Sequence, residues 1–231
     1  MFVEIALVVV LAVGVALLFR TLVRKASVTI EGQYRRLAER LGLELNVPSA
    51  QMFGFVRPEP SVFGRWRGRE ISVAVPGKGL QNTRQIETVL KVELRNEALT
   101  AQLAPTGMLG GLRQRDSLGK LRWRSGDDAF DAAVDIRTEP GHPLDGLLTP
   151  ERREWLARQL QASKGTIYIG GGTMAYAEFG LIANDRRRER FEAMAGFFCD
   201  LADEVEPAPA RTEDRDSRAE ADGGSRDGGS P

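Results

Sequence analysis

Residues 88–104 read TVLKVELRNEALTAQLA, and apolar side chains recur there at every second position on either side of Asn96-Glu97. Successive side chains of a strand point to opposite faces of a sheet, so this period predicts two strands that each bury one face. The short polar break between them predicts an antiparallel hairpin, residues 88–95 paired with 98–104.

The same alternation extends outward on both sides. It predicts a hairpin of residues 61–67 with 70–76 around Gly68-Arg69, a strand at 120–124 with Leu121 and Trp123 inward, and a strand at 134–138. A last hairpin is predicted for 166–169 and 173–179. The three glycines between those strands suit a tight turn, because glycine adopts positive φ angles at little cost.

Helical signals separate these strands. Thr149-Pro150-Glu151 combines a capping hydroxyl, a proline in the first turn and an acid at the positive end of the helix dipole, and it predicts a helix to about residue 161 that buries Trp155, Leu156 and Leu160. Asp127 predicts the cap of a short helix that buries Phe130. Residues 185–206 place apolar side chains at steps of three and four, which predicts a final helix. The predicted fold class is α+β, a largely antiparallel sheet of short strands covered by two or three helices.

The N-terminal segment has a different character. Residues 5–23 are apolar except for Arg20 and Thr21, and a helix of that length spans about 28 Å, close to the thickness of a bilayer's hydrocarbon core. A cleaved signal peptide would begin with basic residues and end at a small-residue cleavage site. This segment begins with Glu4 and has no such site after Phe19, so we expect an uncleaved transmembrane helix.

Basic residues predict the orientation of that helix. Arg20, Arg24 and Lys25 follow the span and none precedes it, which indicates that the chain beyond it faces the cytoplasm. The expected location is the bacterial inner (plasma) membrane, crossed once, with the N-terminus outside and the C-terminal domain cytoplasmic. A single cysteine, Cys199, excludes an internal disulfide and agrees with a reducing compartment.

These signals predict four regions along the 231 residues. Residues 1–25 form the anchor, and 26–60 form a juxtamembrane helix over 29–41 followed by an extended connector. Residues 61–206 form the α+β domain. Residues 207–231 contain no large apolar side chain and are expected to be a disordered tail, because such a segment cannot bury enough apolar surface to fold.

One local pattern resembles a known group of proteins. Gly126-Asp127-x-x-Phe130-Asp131 is followed by Leu147-Leu148, by Arg152 and by Trp155-Leu156. Together these resemble a set of uncharacterised bacterial single-pass membrane proteins with a G-D-x-x-F-D turn before a strand and an L-L-x-x-x-x-R helix. That group often has an aromatic residue where this chain has Val134. The resemblance implies a shared fold over residues 61–206 and carries over no mechanism.

The sequence predicts no catalytic, cofactor-binding or metal-binding residue. With His142 as its one histidine, in a turn-rich loop, the chain offers no credible Ser-His-Asp arrangement. Asp127, Asp128, Asp131 and Asp135 lack the spacing of a calcium loop, and caps on a solvated face explain them better. The predicted function is therefore a binding or scaffold module without catalysis. A membrane-tethered hydrolase that uses the carboxylates around Asp127 and Asp131 stays open as an alternative.

Charge suggests a further candidate surface. Residues 51–126 hold 13 basic and 6 acidic residues, whereas 127–206 hold 9 basic and 16 acidic ones. Outward strand positions could form one basic sheet face that contacts anionic lipid headgroups or nucleic acid. A solvated face balanced by the acidic half is the alternative. Expected partners are the membrane and a protein or anionic headgroups, with nucleic acid disfavoured. The candidate contact residues are Arg65, Trp66, Arg67, Lys91, Arg95, Lys120, Arg122 and Arg124.

Overall fold

The structure is a computed structural model that describes residues 2–49, 58–76, 86–107, 121–139, 144 and 146–206, without the side chains of residues 2, 3, 5, 6, 8, 9, 12 and 13. The predicted tail at 207–231, together with Lys120 and His142, lies outside this description. The helices are α1 (Phe2–Leu41), α2 (Asp128–Ala133), α3 (Pro150–Ser163) and α4 (Asp185–Val205). The strands are β1 (Glu44–Asn46), β2 (Ser61–Trp66), β3 (Arg69–Ala74), β4 (Glu87–Glu93), β5 (Ala101–Pro105), β6 (Leu121–Trp123), β7 (Val134–Thr138), β8 (Thr166–Gly170) and β9 (Thr173–Phe179).

The strands form one sheet in the order β1-β2-β3-β4-β9-β8-β5-β7-β6, with antiparallel pairing between neighbours. The predicted α+β class with a largely antiparallel sheet is confirmed. The hairpin of β2 with β3 and that of β8 with β9 form as predicted. Strand β1 lies in the stretch that we expected to be an irregular connector. Leu121, which we expected to be buried, shares the core face with Trp123 but is 60% exposed.

The predicted hairpin of 88–95 with 98–104 is wrong. Strand β4 pairs with β3 and β9, and β5 pairs with β7 and β8, so the hairpin of β8 and β9 lies between them. The polar break does not close a turn, because its backbone bonds elsewhere: the Leu94 N–H donates to the Gly172 carbonyl and the Asn96 N–H to the Glu206 carboxylate. Every residue of β5 is buried.

Helices cover one face of the sheet and enclose the core. Phe191, Met194 and Phe198 of α4 are fully buried, as the apolar spacing of that helix predicts. Thr149 caps α3 through its hydroxyl, which accepts from the Arg152 N–H, and Asp127 caps α2. In α3, Leu156 and Leu160 are fully buried, whereas Trp155 is half-buried and stacks on Phe197 with ring centroids 5.1 Å apart.

Helix α1 includes both the apolar segment 5–23 and the juxtamembrane helix 29–41, which the sequence predicted as separate helices. It runs without interruption for 40 residues. Near its end, Tyr34, Leu37 and Leu41 are at most 5% exposed and belong to the core. Near its start, Leu11 is 67% and Val15 is 60% exposed. Over the residues and side chains that the structure describes, which leave out eight side chains near the start of α1, no helix is long and apolar enough to cross a membrane.

Candidate functional site

The sheet face opposite the helices contains a hollow of about 530 Å³ between β2, β3, β4 and β9. We call it the open-face hollow. Strand register puts its outward side chains on one surface, because residues that pair across an antiparallel ladder point the same way. The outward residues that line it are Phe63, Arg65, Glu70, Ser72, Lys91, Glu93 and Thr173.

The open-face hollow presents two cations beside an aromatic ring. Arg65 pairs across the ladder with Glu70, and Lys91 with Ser72. Among the residues that the structure describes, neither Arg65 nor Lys91 takes part in an ion pair. Phe63 is 44% exposed on the same surface. Glu70 and Glu93 line the same hollow, so the surface offers charges of both signs around an exposed ring. It suits a protein segment that places a charged side chain next to an apolar one.

Two other predicted contact residues lie elsewhere. The hairpin turn is Arg67-Gly68, one residue earlier than we expected, with φ angles of 51° and 78°. Trp66 points to the core face and packs against the core, with the Arg67 guanidinium 5.8 Å from its ring centroid. The Arg67 guanidinium also binds Asp200 at 2.6 Å and Asp203 at 3.0 Å on α4. The turn, rather than strand alternation, decides where Arg67 points.

The remaining predicted residues are scattered. Arg122 shares the outward face with Arg65 but lies on β6, seven strands away or about 34 Å, and its Nε is 3.1 Å from Asp135. Arg95 and Arg124 are exposed just beyond the ends of β4 and β6. The predicted residues therefore do not form one basic face.

The basic and acidic halves of the sequence contact each other through a group of ion pairs that we call the clamp. It consists of Arg67, Arg69, Asp200, Asp203 and Glu206. Arg69 is 8% exposed at its side chain and binds Asp203 at 3.0 Å and Glu206 at 2.7 Å. Burial tends to raise the pKa of Glu206, yet the hydrogen bonds from Arg69 and the Asn96 N–H outweigh it and hold that pKa below its usual value. The clamp thus joins the turn between β2 and β3 to the end of α4.

Sequence reasoning missed a second buried cluster. The Glu178 carboxylate is 1% exposed and accepts hydrogen bonds from Arg187 Nε at 2.9 Å, Arg190 Nη1 at 2.8 Å and the Tyr176 hydroxyl at 2.8 Å. Burial and the charge of Glu178 raise the pKa of Tyr176. Arg187 and Arg190 lie near the start of α4, where cations oppose the helix dipole, and the Glu178 carboxylate offsets their charge. The alternation that turns Met174 and Tyr176 inward places Glu178 on the same face, and this was the signal in the sequence.

The acidic turn of the G-D-x-x-F-D pattern is occupied by capping bonds. Asp127 accepts the N–H groups of Ala129 and Phe130, and Asp131 accepts the N–H and hydroxyl of Ser125. Burial tends to raise the pKa of Asp131, but the bonds from Ser125 lower it overall. Within the described ranges, no group of three or more His, Cys, Asp or Glu side chains could hold a metal ion. These contacts give the carboxylates a role in the turn.

Comparisons with protein-family models, with curated proteins and with solved structures find no match to this chain.

Proposed function

We propose that this chain is a single-pass, membrane-tethered binding module without catalysis. In this proposal the first half of α1 anchors the chain, and the domain presents the open-face hollow to a partner protein. The observation that carries it is the division of one continuous helix into an exposed apolar half and a half that belongs to the domain core.

The sequence of the exposed half supports the tether. The described side chains Leu7, Leu11 and Leu18 are at least 61% exposed, and exposed apolar surface of this extent is characteristic of a membrane or protein contact. The positions of residues 5–19 whose side chains are not described are apolar in the sequence as well. Those positions are Ile5, Ala6, Val8, Val9, Ala12 and Val13. Residues 5–19 therefore carry no charge.

Charge beyond the apolar run supports the orientation. Arg20, Arg24 and Lys25 are exposed on α1 immediately before the part that enters the domain. Basic residues beside a span favour the cytoplasmic side. We propose that the domain lies in the cytoplasm of a bacterium, beneath the inner membrane.

The position of the open-face hollow favours a protein partner over lipid of the same bilayer. Ser27 and Ile30 of α1 line a small hollow together with Pro60, which lies just before β2 begins. Strand β2 runs away from that point, so Arg65 lies about 16 Å further along it than Pro60. Lys91 lies level with Phe63, about 10 Å along β2 from Pro60. Both cations therefore lie away from the anchor-side end of the sheet, with Arg65 the more distant. An exposed segment of a partner that places an acidic side chain next to an apolar one fits Arg65, Lys91 and Phe63.

Membrane extraction tests the tether. Leu11→Arg combined with Val15→Arg puts two charges in the apolar run, and each arginine costs about 2.5 to 3.5 kcal/mol at a bilayer centre. The double variant is expected to be released by alkaline carbonate, whereas the unmodified chain stays in the membrane pellet. The matched control, Phe63→Arg with Leu121→Arg, adds the same charge to exposed apolar sites of the domain and should stay. Equal extraction of both variants would refute the tether.

Photo-crosslinking in membranes tests the binding surface. A benzophenone amino acid at Phe63 is expected to crosslink a partner protein, and Arg65→Glu with Lys91→Glu should reduce that product at least fivefold. The same probe at Leu121, which is also exposed, serves as the positional control. Equal crosslinking at Phe63 and Leu121, or a product that the charge reversal leaves unchanged, would exclude the open-face hollow as the binding surface.

A further inference from the structure

We infer that the domain makes a second contact with lipid, through an anchor-side rim that rests on the surface of the bilayer that holds α1. The rim consists of Val28, Val47, Ile86, Phe179 and Leu181. This inference rests on the proposed membrane tether and concerns a different part of the molecule from the open-face hollow.

Exposed apolar side chains of the domain concentrate at the rim. Val28 is 58%, Val47 is 42%, Ile86 is 43% and Phe179 is 36% exposed. Val28 lies within α1, and the other three lie at strand ends: Val47 follows β1, Ile86 precedes β4 and Phe179 ends β9. Apolar surface gathered in one place is characteristic of an interaction site, unlike single exposed side chains.

Backbone contacts make the rim continuous. The Gly180 N–H donates to the Ile86 carbonyl at 2.7 Å, which joins the start of β4 to the end of β9. Leu181, the next residue, lines a small surface hollow with Val47 and with Ile30 of α1. Arg187 fixes this segment, since its guanidinium donates to the carbonyls of Phe179 and Leu181 at 2.7 and 2.6 Å. The rim is thus held in a defined shape.

Helix geometry places the rim at the outer edge of the lipid headgroup layer, where it can rest on the surface of the bilayer. Val28 lies five residues beyond Val23, about 8 Å along α1, and Ile30 lies about 11 Å beyond it. The headgroup layer is about 5 to 8 Å thick on each side of the hydrocarbon core. Because α1 continues through this interval as one helix and Ile30 packs against the core, the rim cannot move far from the bilayer without breaking the helix.

The charges around the rim fit this occupant. Arg24 and Lys25 are exposed within about one turn of Val28 and can attract anionic headgroups. Glu31, which also faces the small hollow, is bound by Arg35 at 2.8 Å. Glu59 also lines this hollow, and its negative charge does not attract anionic headgroups. The contact with lipid therefore depends on the apolar side chains and on Arg24 and Lys25. A soluble protein partner would have to share this position with the bilayer, and we therefore assign the rim to lipid.

Depth-dependent fluorescence quenching tests the rim in the full chain. Single cysteines at Val47, Ile86 and Phe179 carry a bimane label, and the chain is reconstituted in nanodiscs of phosphatidylcholine and phosphatidylglycerol with a nitroxide near the headgroup. For the label at Leu11 the nitroxide is placed near the end of the acyl chain. The native Cys199 is fully buried, and the unmodified chain shows how little label it takes. Labels at Leu11 and at Phe63 report the anchor and the water-facing sheet, and both sites are exposed on the chain itself.

The expected result is quenching at Val47, Ile86 and Phe179 at least twofold stronger than at Phe63, with Leu11 also quenched. Quenching at Leu11 with rim labels that behave like Phe63 would overturn the rim contact and leave the tether intact. No quenching at Leu11 would refute the tether itself. Folding of each labelled variant is checked by its thermal transition, and the replaced side chains are already exposed, so folding should be retained.

Discussion

Replacing Glu178 with alanine is expected to destabilise the domain by about 3 to 5 kcal/mol, the usual cost of removing one partner from a buried ion pair. The Glu178 side chain is 2% and the Arg190 side chain 9% exposed, so the remaining guanidinium groups cannot regain full hydration. The Tyr176 hydroxyl also loses its acceptor. Urea unfolding of the full chain in detergent, followed by tryptophan fluorescence, measures the difference.

Glu154 supplies the control for that variant. It forms an ion pair with Arg158 at 2.7 Å, but the two side chains are 71% and 65% exposed, so Glu154→Ala should change the unfolding free energy by less than about 0.5 kcal/mol. Glu178→Gln, which keeps an acceptor oxygen without the charge, should fall between the two. If Glu178→Ala and Glu154→Ala have equal effects, Glu178 does not hold the start of α4.

Tyr34→Ala should have an effect of similar size, about 3 to 5 kcal/mol, which is the range for truncating a buried aromatic ring. Tyr34 is fully buried on α1, and its hydroxyl lies 3.5 Å from Thr88 Oγ1 in β4. Its ring therefore joins the helix that carries the apolar segment to the middle of the sheet. Denaturant unfolding of the full chain in detergent measures the loss.

Glu39, exposed on the same helix, is the matched position for Tyr34. Glu39→Ala should shift stability by no more than about 0.5 kcal/mol, as surface changes usually do. A single transition that moves as a whole in Tyr34→Ala would confirm that α1 folds with the domain. If α1 unfolds separately in this variant while the sheet unfolds at its original denaturant concentration, α1 is not part of the cooperative folding unit of the domain.

The sequence predicted those parts of the fold that depend on near neighbours. Thr149 and Asp127 cap their helices as expected, since a cap bonds backbone groups two or three residues away. The turn between β8 and β9 was also predictable, because Gly171 and Gly172 adopt the positive φ angles that such a turn requires. Pairing of β4 with β9 depends on residues at least 80 positions apart, and alternation within a strand carries no information about which strand lies beside it.

The candidate site was predictable to a similar extent. Strand alternation correctly put Arg65 and Lys91 outward, because both lie within regular strands. Arg67 lies in the turn, where a φ of 51° takes it out of that alternation and toward α4. Glu178 shares the inward face of β9 with Met174 and Tyr176, but alternation within the strand does not identify its partners on α4, Arg187 and Arg190. These differences arise from contacts between elements that are distant in sequence.

The distance between two labels placed along α1, measured in a bilayer, tests most directly whether one continuous helix connects the membrane to the domain core. Spin labels at Val15 and Arg40, both exposed, lie 25 residues apart, and a continuous helix separates them by about 38 Å. Pulsed electron paramagnetic resonance of the reconstituted full chain should give one narrow distribution near that distance. A broad distribution, or a main distance well below 38 Å, would mean that the apolar segment and the domain are joined by a hinge and would contradict the rigid tether.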